Sequence, residues 1–312
     1  MNGTKKPLTA IALVLVGATS YGLVSVVFKL AIADGWGAKP LTLQQVFSGA
    51  ALLWLALGVT RLNKRSRSLA RTRKEWLKLT LIGIIGLSLT TVFYNEALSR
   101  LDASLGIVLL FQFTWITILL ESIRKRKWPN RQEWVAVLCI ALGTALAVGI
   151  LEKDYSSIDG WGILFGLLSA LTYSLFFFLS GFLPQQLDPI AKSAVMSTAS
   201  LAFVVLLLSF DGFDGIFESF SGPMIGWGML LGLLGTAFPF FCFNYGIPKI
   251  GSGLAALLGS MELPAAVMAA FLLLDEPLSL GQGIGIILII AGIMSAQRKS
   301  SGPVAAGKEG EP

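Results

Sequence analysis

Ten apolar runs, at about residues 8–32, 41–60, 76–98, 103–123, 132–151, 161–183, 191–210, 222–247, 252–274 and 279–296, occupy most of this 312-residue chain. Each holds roughly 18–26 residues, close to the ~20 needed to cross the hydrocarbon core of a bilayer as a helix. The second five runs echo the first five. Phe93-Tyr94-Asn95 stands against Phe243-Asn244-Tyr245, and a constant shift of 149 residues (244 − 95) pairs Asn95 with Asn244, Arg100 with Lys249, Leu105 with Leu254 and Gly143 with Gly292. An odd number of spans in each copy makes the second copy enter the membrane from the opposite side. The pattern predicts an all-α integral membrane protein of ten transmembrane helices, built as two inverted five-helix repeats over residues 1–151 and 152–296, with a disordered polar tail over 297–312. Inverted repeats of this kind build many secondary transporters, with the substrate site near mid-membrane where the repeats meet.

Charge sets the orientation. Only 13% of the residues are charged and 54% are hydrophobic, against about 25% charged in a soluble domain. With a cytoplasmic N-terminus, Lys5, Lys6, the eight basic residues from Arg61 to Lys78, the five from Arg124 to Arg131, and Lys192, Lys249, Arg298, Lys299 and Lys308 all fall on one side, which is 20 of the 24. This asymmetry predicts both termini in the cytoplasm of a multi-pass plasma-membrane protein. The opposite loops are acidic, with Glu152, Asp154 and Asp159 in one and Asp211, Asp214 and Glu218 in another. The net charge of +6 is therefore topological, and no basic, aromatic-bearing domain is present to dock a nucleic acid. Cys139 and Cys242 lie in different spans and read as small hydrophobes, not as a disulfide. The absence of histidine removes most zinc sites and the usual general base, so neither a metal nor a cofactor is expected. The run after Lys5-Lys6 is too long for a signal peptide and reads as the first span. Small residues four apart, at Gly162/Gly166, Gly228/Gly232 and Gly281/Gly285, suit close helix packing. The last pair fits contacts within the monomer, with a homodimer as the alternative.

Few polar side chains sit at membrane depth, and each has two readings. Glu262 lies about mid-span, where an uncompensated carboxylate costs several kcal/mol. It either exchanges a proton or meets a cationic group of the substrate, or else it is protonated and caps the backbone carbonyl that Pro264 frees by kinking the helix. Asn95 and Asn244 occupy matching places and either bond between helices or touch substrate. Gln112 and Trp115 lie one turn apart in the fourth span, with Tyr94 on the third, an amide beside aromatics that suits an amphipathic solute. Tyr21 and Tyr173 stand at similar depths in spans one and six and need partners for their hydroxyls. Lys29 snorkels to the headgroups or pairs with an anion, Glu96 reads as solvated, and Glu121 reads as an interfacial ion pair with Arg124 or Lys125.

Ala97-Leu98 with Asp102-Ala103-Ser104, then Met261-Glu262-Leu263-Pro264, Leu274-Asp275-Glu276-Pro277-Leu278-Ser279, Gln282 and Ile290-Ala291-Gly292-Ile293, resemble the drug/metabolite transporter superfamily. The likeness is to its EamA-type ten-helix branch, over about residues 10–296. The resemblance implies two packed inverted halves around a central cavity, lined by spans one, three, four, six, eight and nine, with five and ten peripheral. Two positions break the repeat, because Glu262 aligns with Phe113 and Pro264 with Trp115.

These features predict a secondary transporter that moves a small organic metabolite by alternating access. Its candidate substrate-binding residues are Tyr21, Tyr94, Asn95, Gln112, Trp115, Tyr173, Asn244 and Glu262, with Glu262 also the candidate for proton coupling. By analogy with the family the solute is an amino acid or related compound, and the direction is export. Uptake, or movement of another class of solute, is the alternative. An enzyme acting on lipid-like substrates needs clustered acids, His or Cys at one membrane face, and the acids here are scattered.

Overall fold

The computed structural model describes residues 8–62, 72–98, 100–101, 103–148, 159–210, 222–274 and 278–298. The acidic loop positions Glu152, Asp154, Asp211, Asp214 and Glu218, the motif residues Asp102, Asp275, Glu276 and Pro277, and the tail from 299 lie outside them. So do the side chains of Asn95, Ala103 and Ser104.

Every regular element among the described residues is a helix. In chain order they are α1 (Leu8–Ala33), α2 (Ala38–Leu62), α3 (Arg73–Gly83), a wide π turn (Ile84–Leu89), α4 (Thr90–Leu98), α5 (Ala103–Leu110), α6 (Phe113–Lys125) and α7 (Arg131–Ala147). The second half continues with α8 (Gly160–Ser180), α9 (Pro189–Phe210), α10 (Gly222–Gly232), a second π turn (Leu233–Ala237), α11 (Phe238–Ile250), α12 (Ser252–Gly259), α13 (Glu262–Leu273) and α14 (Leu280–Arg298). Their starts are written in the sequence. Thr72 with Glu75 and Asn130 with Glu133 form reciprocal capping boxes at α3 and α7, and the Asp159 carboxylate accepts the Trp161 N–H at α8. Ser279 and Gln282, noted above as part of a family motif, cap α14 in the same reciprocal way.

Eight helical segments are long and apolar enough to cross a membrane. Four are interrupted: α3–α4 and α10–α11 by π turns, α5–α6 and α12–α13 by two-residue breaks. The interruptions repeat with the sequence. The π turns begin at Ile84 and Leu233 (233 − 84 = 149), and the segments after the breaks begin at Phe113 and Glu262 (262 − 113 = 149). The fifth and tenth apolar runs give shorter elements, α7 and the apolar stretch Leu280–Ser295 of α14. These two pack along each other, and a Cβ added at Gly285 would collide with the backbone of Gly143 and Ala147. Gly285 therefore serves packing inside the monomer.

Packing exchanges helices between the halves. From the first half, α1 lies against α11 and α13, and α2 against α10 and α9. From the second, α8 lies against α4 and α6, and α9 against α3. Glycines at repeat-equivalent places permit these approaches. Gly83 meets the backbone of Met196, and Gly232 (83 + 149) meets Gly49, where an added Cβ would lie 2.6 Å from the backbone nitrogen.

Candidate functional site

The break in span nine places Glu262 at the first position of α13. Met261 and Ser260 donate their N–H groups three residues back, to Leu258 and Leu257, at 3.1 and 3.3 Å. This tightens the end of α12 before α13 starts. Pro264 has no N–H to return to the Ser260 carbonyl, so the helix cannot run straight through. The half-buried Glu262 interacts electrostatically with three tyrosines from three other helices: Tyr173 of α8, the most direct of them, Tyr21 of α1 and Tyr94 of α4. No lysine or arginine among the described residues acts on this carboxyl. Gly22, beside Tyr21, brings α1 against the start of α13. A Cβ there would overlap the Glu262 carbonyl oxygen and lie 2.9 Å from Ala265 Cβ.

The same register in span four carries Phe113. Its ring centroid lies 4.6 Å from that of Tyr173, 5.3 Å from Phe177 and 5.8 Å from Phe111. Phe176, Phe240 and Phe243 extend the cluster. Tyr173 thus links the two breaks, packing its ring on Phe113 and acting electrostatically on Glu262.

A small cavity runs between the two π turns, with about 40 Å³ open to the centres of water-sized molecules. Its lining includes Tyr21, Gln45, Gly86, Thr90, Thr91, Tyr173, Ser197, Ser200, Gly235 and Thr236. The resemblance implies lining from spans four and nine. In the structure α2 and α9 contribute to this cavity instead, and Tyr21 and Tyr173 separately connect its walls to the Glu262 cluster.

The structure therefore brings Tyr21, Tyr94, Tyr173 and Glu262 together and distributes the other candidates. Gln112 donates from Nε2 to the Val108 carbonyl at 2.9 Å and accepts from Trp115 Nε1 at 2.8 Å, so its amide serves its own helix. Trp115 is 37% exposed. Asn244 is buried, donates to Ser193 Oγ at 2.9 Å, and accepts the Lys192 ammonium on its backbone oxygen at 2.8 Å, stitching α11 to α9. Asn95 stands on α4, with its side chain outside the described residues. Lys192, counted above among the loop charges, is 2% exposed inside α9, whereas Lys29 is exposed.

Polar contacts tie the two ends of the bundle. At one, Arg100 binds Glu96 at 2.7 Å and Asp159 at 3.4 Å, linking the α4–α5 connection to the cap of α8. The Glu96 hydrogen bond, more than that of Asp159, holds the guanidinium above its ordinary pKa. At the other, Glu121 takes the Lys125 ammonium and the Gly253 N–H, joining α6 to the start of α12. Arg124 instead lies 3.4 Å over the Phe182 ring. The pairing expected of Glu121 thus falls to Lys125, with a helix cap added. Gly22, the π turns and the α12 cap had no clear signal in the sequence beyond glycines, which are common in membrane helices.

A multi-pass helical protein with paired broken spans around a polar centre is the architecture of a membrane transporter. The chain matches the EamA-like transporter family over residues 8–149 and 160–296, and it belongs to that family. It is similar to an uncharacterized transporter, YcbK, of Bacillus subtilis, 24% identical over 89% of this chain and 90% of the relative. It is also similar to UDP-galactose transporter 1 of Arabidopsis thaliana, 24% identical over 56% of this chain and 53% of that protein. A solved crystal structure shares the fold with a TM-score of 0.72 at 17% identity, covering 92% of this chain and 98% of the other. The protein is a transporter, not an enzyme.

Proposed function

We propose that the protein is a secondary transporter that exports an amino acid or a related amine-bearing metabolite across the plasma membrane in exchange for protons. The observation that carries this reading is Glu262, set at a helix break beside three tyrosines, with no cation among the described residues acting on it. A bare carboxylate at that depth is unfavourable by several kcal/mol, so through the cycle it holds either a proton or a cationic group. The two occupants compete for one site, and that competition is the chemistry of an exchanger. Neighbouring aromatic rings favour an ammonium with an apolar part. A nucleotide sugar needs cations for its diphosphate, and among the described residues none acts on this carboxyl.

In this reading the chain crosses the membrane ten times, with inverted repeats over residues 1–151 and 152–296 and both termini in the cytoplasm. Alternating access follows the exchanged packing: α1, α2, α10, α11 and α13 rock against α3, α4, α6, α8 and α9. The contacts at Arg100 and Glu121, with the narrow cavity, suit an occluded state between the two openings.

Counterflow in proteoliposomes, with purified protein screened against amino acids, polyamines, sugars and nucleotide sugars, tests the solute class. Uptake confined to amine-bearing solutes and steepened by an outward-directed proton gradient (acid lumen) in everted vesicles is the expected result. Glu262→Gln should remove the pH dependence while leaving the protein folded. Unchanged proton coupling in that variant, or selective exchange of anionic sugars, defeats the reading.

A further inference from the structure

The cavity between the π turns is too small for an organic metabolite, yet it is built from groups that bind water. Its volume suits about three water molecules, each of which needs two to four polar partners. Tyr21, Gln45, Thr90, Thr91, Tyr173, Ser197, Ser200 and Thr236, each with a polar side chain, are among its lining residues. Several already bond within the protein: Thr90 to the Gly86 carbonyl and Thr172, Thr91 to the Leu87 carbonyl, and Ser200 to Ser88. Ser197 does not. It is fully buried on this wall, and its Oγ has no protein partner. A hydroxyl so placed is costly unless a small polar molecule satisfies it. Tyr21 and Tyr173 belong both to this lining and to the ring of hydroxyls around Glu262.

We infer that the cavity holds a short file of water that carries protons to and from Glu262 through the Tyr173 hydroxyl, apart from the space the solute occupies. In the loading step Tyr173 passes its hydroxyl proton to the Glu262 carboxylate and takes one from the adjoining water. The net change is one proton moved from the file to Glu262, with the tyrosine unaltered. Among the described residues the groups acting on the carboxyl are Tyr21 from α1, Tyr94 from α4 and Tyr173 from α8, and Tyr173 acts on it most directly. This inference rests on the reading of Glu262 as a proton carrier and adds its route.

Infrared difference spectroscopy on full-length protein in phosphatidylcholine vesicles, after a downward pH step, tests both with the proton as probe. Wild-type protein should develop a protonated-carboxyl band that Glu262→Gln lacks. Ser197→Ala and Tyr173→Phe should each slow its rise about tenfold, the equivalent of one disrupted relay step. Its final amplitude should be unchanged, and Ser197→Thr should restore the rate. Wild-type rates in both slowed variants overturn the route. Absence of any Glu262-dependent band in wild-type protein overturns the carrier reading itself. Radiolytic hydroxyl labelling of the wild type, which needs no variant to fold, should modify Tyr173 far more than the fully buried Phe177 beside it. Equal protection of the two rings shows a dry cavity and also overturns the route.

Discussion

Spans four and nine are broken at the same place by different means, and the residue after the break gives each half its character. In span nine a proline forbids the hydrogen bond that would close the gap. In span four there is no proline, and side chains do the work. Gln112 donates through its side chain to the Val108 carbonyl, which a regular helix would bond through its backbone, and the Thr114 hydroxyl joins its own N–H on the Phe111 carbonyl. The first segment then begins with Phe113, fixed among rings, and the second with Glu262, facing hydroxyls. The break is shared scaffold, whereas the charge beside it occurs once. Under the proposed exchange, a two-sided scaffold with a carboxyl beside only one of its two matched breaks would have one place where proton and solute meet.

Making the second half resemble the first should have the largest effect. Glu262→Phe copies the residue of the equivalent position and should abolish transport while the protein still folds, since the aligned site already accommodates a ring. Solute exchange in proteoliposomes, with size-exclusion elution as the folding control, measures this. Residual exchange above a tenth of wild type would refute the claim that one half carries the function.

Gly22→Val should come next. The added methyls meet the Glu262 carbonyl and Ala265, so α1 must retreat from the start of α13 and take Tyr21 with it. Exchange should fall at least about tenfold, as small displacements at a reacting centre can cause. Gly58, where an added Cβ meets nothing within 4 Å, should tolerate alanine with little change. Equal transport in the two variants breaks the link between α1 and the span-nine site.

Phe113→Leu probes the other break and should read out chiefly as stability. It removes the ring contacts with Phe111, Tyr173 and Phe177, each worth about 0.5–1.5 kcal/mol. The melting temperature in detergent should drop by several degrees while the pH dependence of transport is kept. A shifted pH dependence with unchanged melting would mean that Phe113 belongs to the charged site after all.

Much of this arrangement was legible in the chain because bilayer physics leaves polar groups few places to hide. Glu262, Tyr21, Tyr94 and Tyr173 stood out as polar atoms inside apolar runs, and the repeat placed Phe113 opposite Glu262. The exchange of α1 and α8 between the halves was not legible, since apolar faces do not name their partners. The break in span four was also hidden, because Gln112 and Trp115 look like a ligand-binding pair and the bond to Val108 exists only once the chain is bent. Lys192 misled for a related reason: its position at the end of a run suits a loop charge, and only α11 supplies the carbonyl that lets it stay buried.

The smallest effect should come from Gln112→Ala, and its direction decides what that side chain does. As a solute contact, it should change which solutes are exchanged, because a lost amide leaves a polar group of the solute unpaired. As a bond within α5 and α6, it should leave solute preference alone and lower stability by about 0.5–1.5 kcal/mol, the net worth of one hydrogen bond. The second outcome is expected. Nε2 is taken by Val108 and Oε1 by Trp115, so satisfying a solute requires giving up bonds the helix already holds. Comparing competition by several amine-bearing solutes with detergent melting curves separates the cases. An altered order of solute preference at unchanged melting temperature would move Gln112 into the site and give the first break a chemical role of its own.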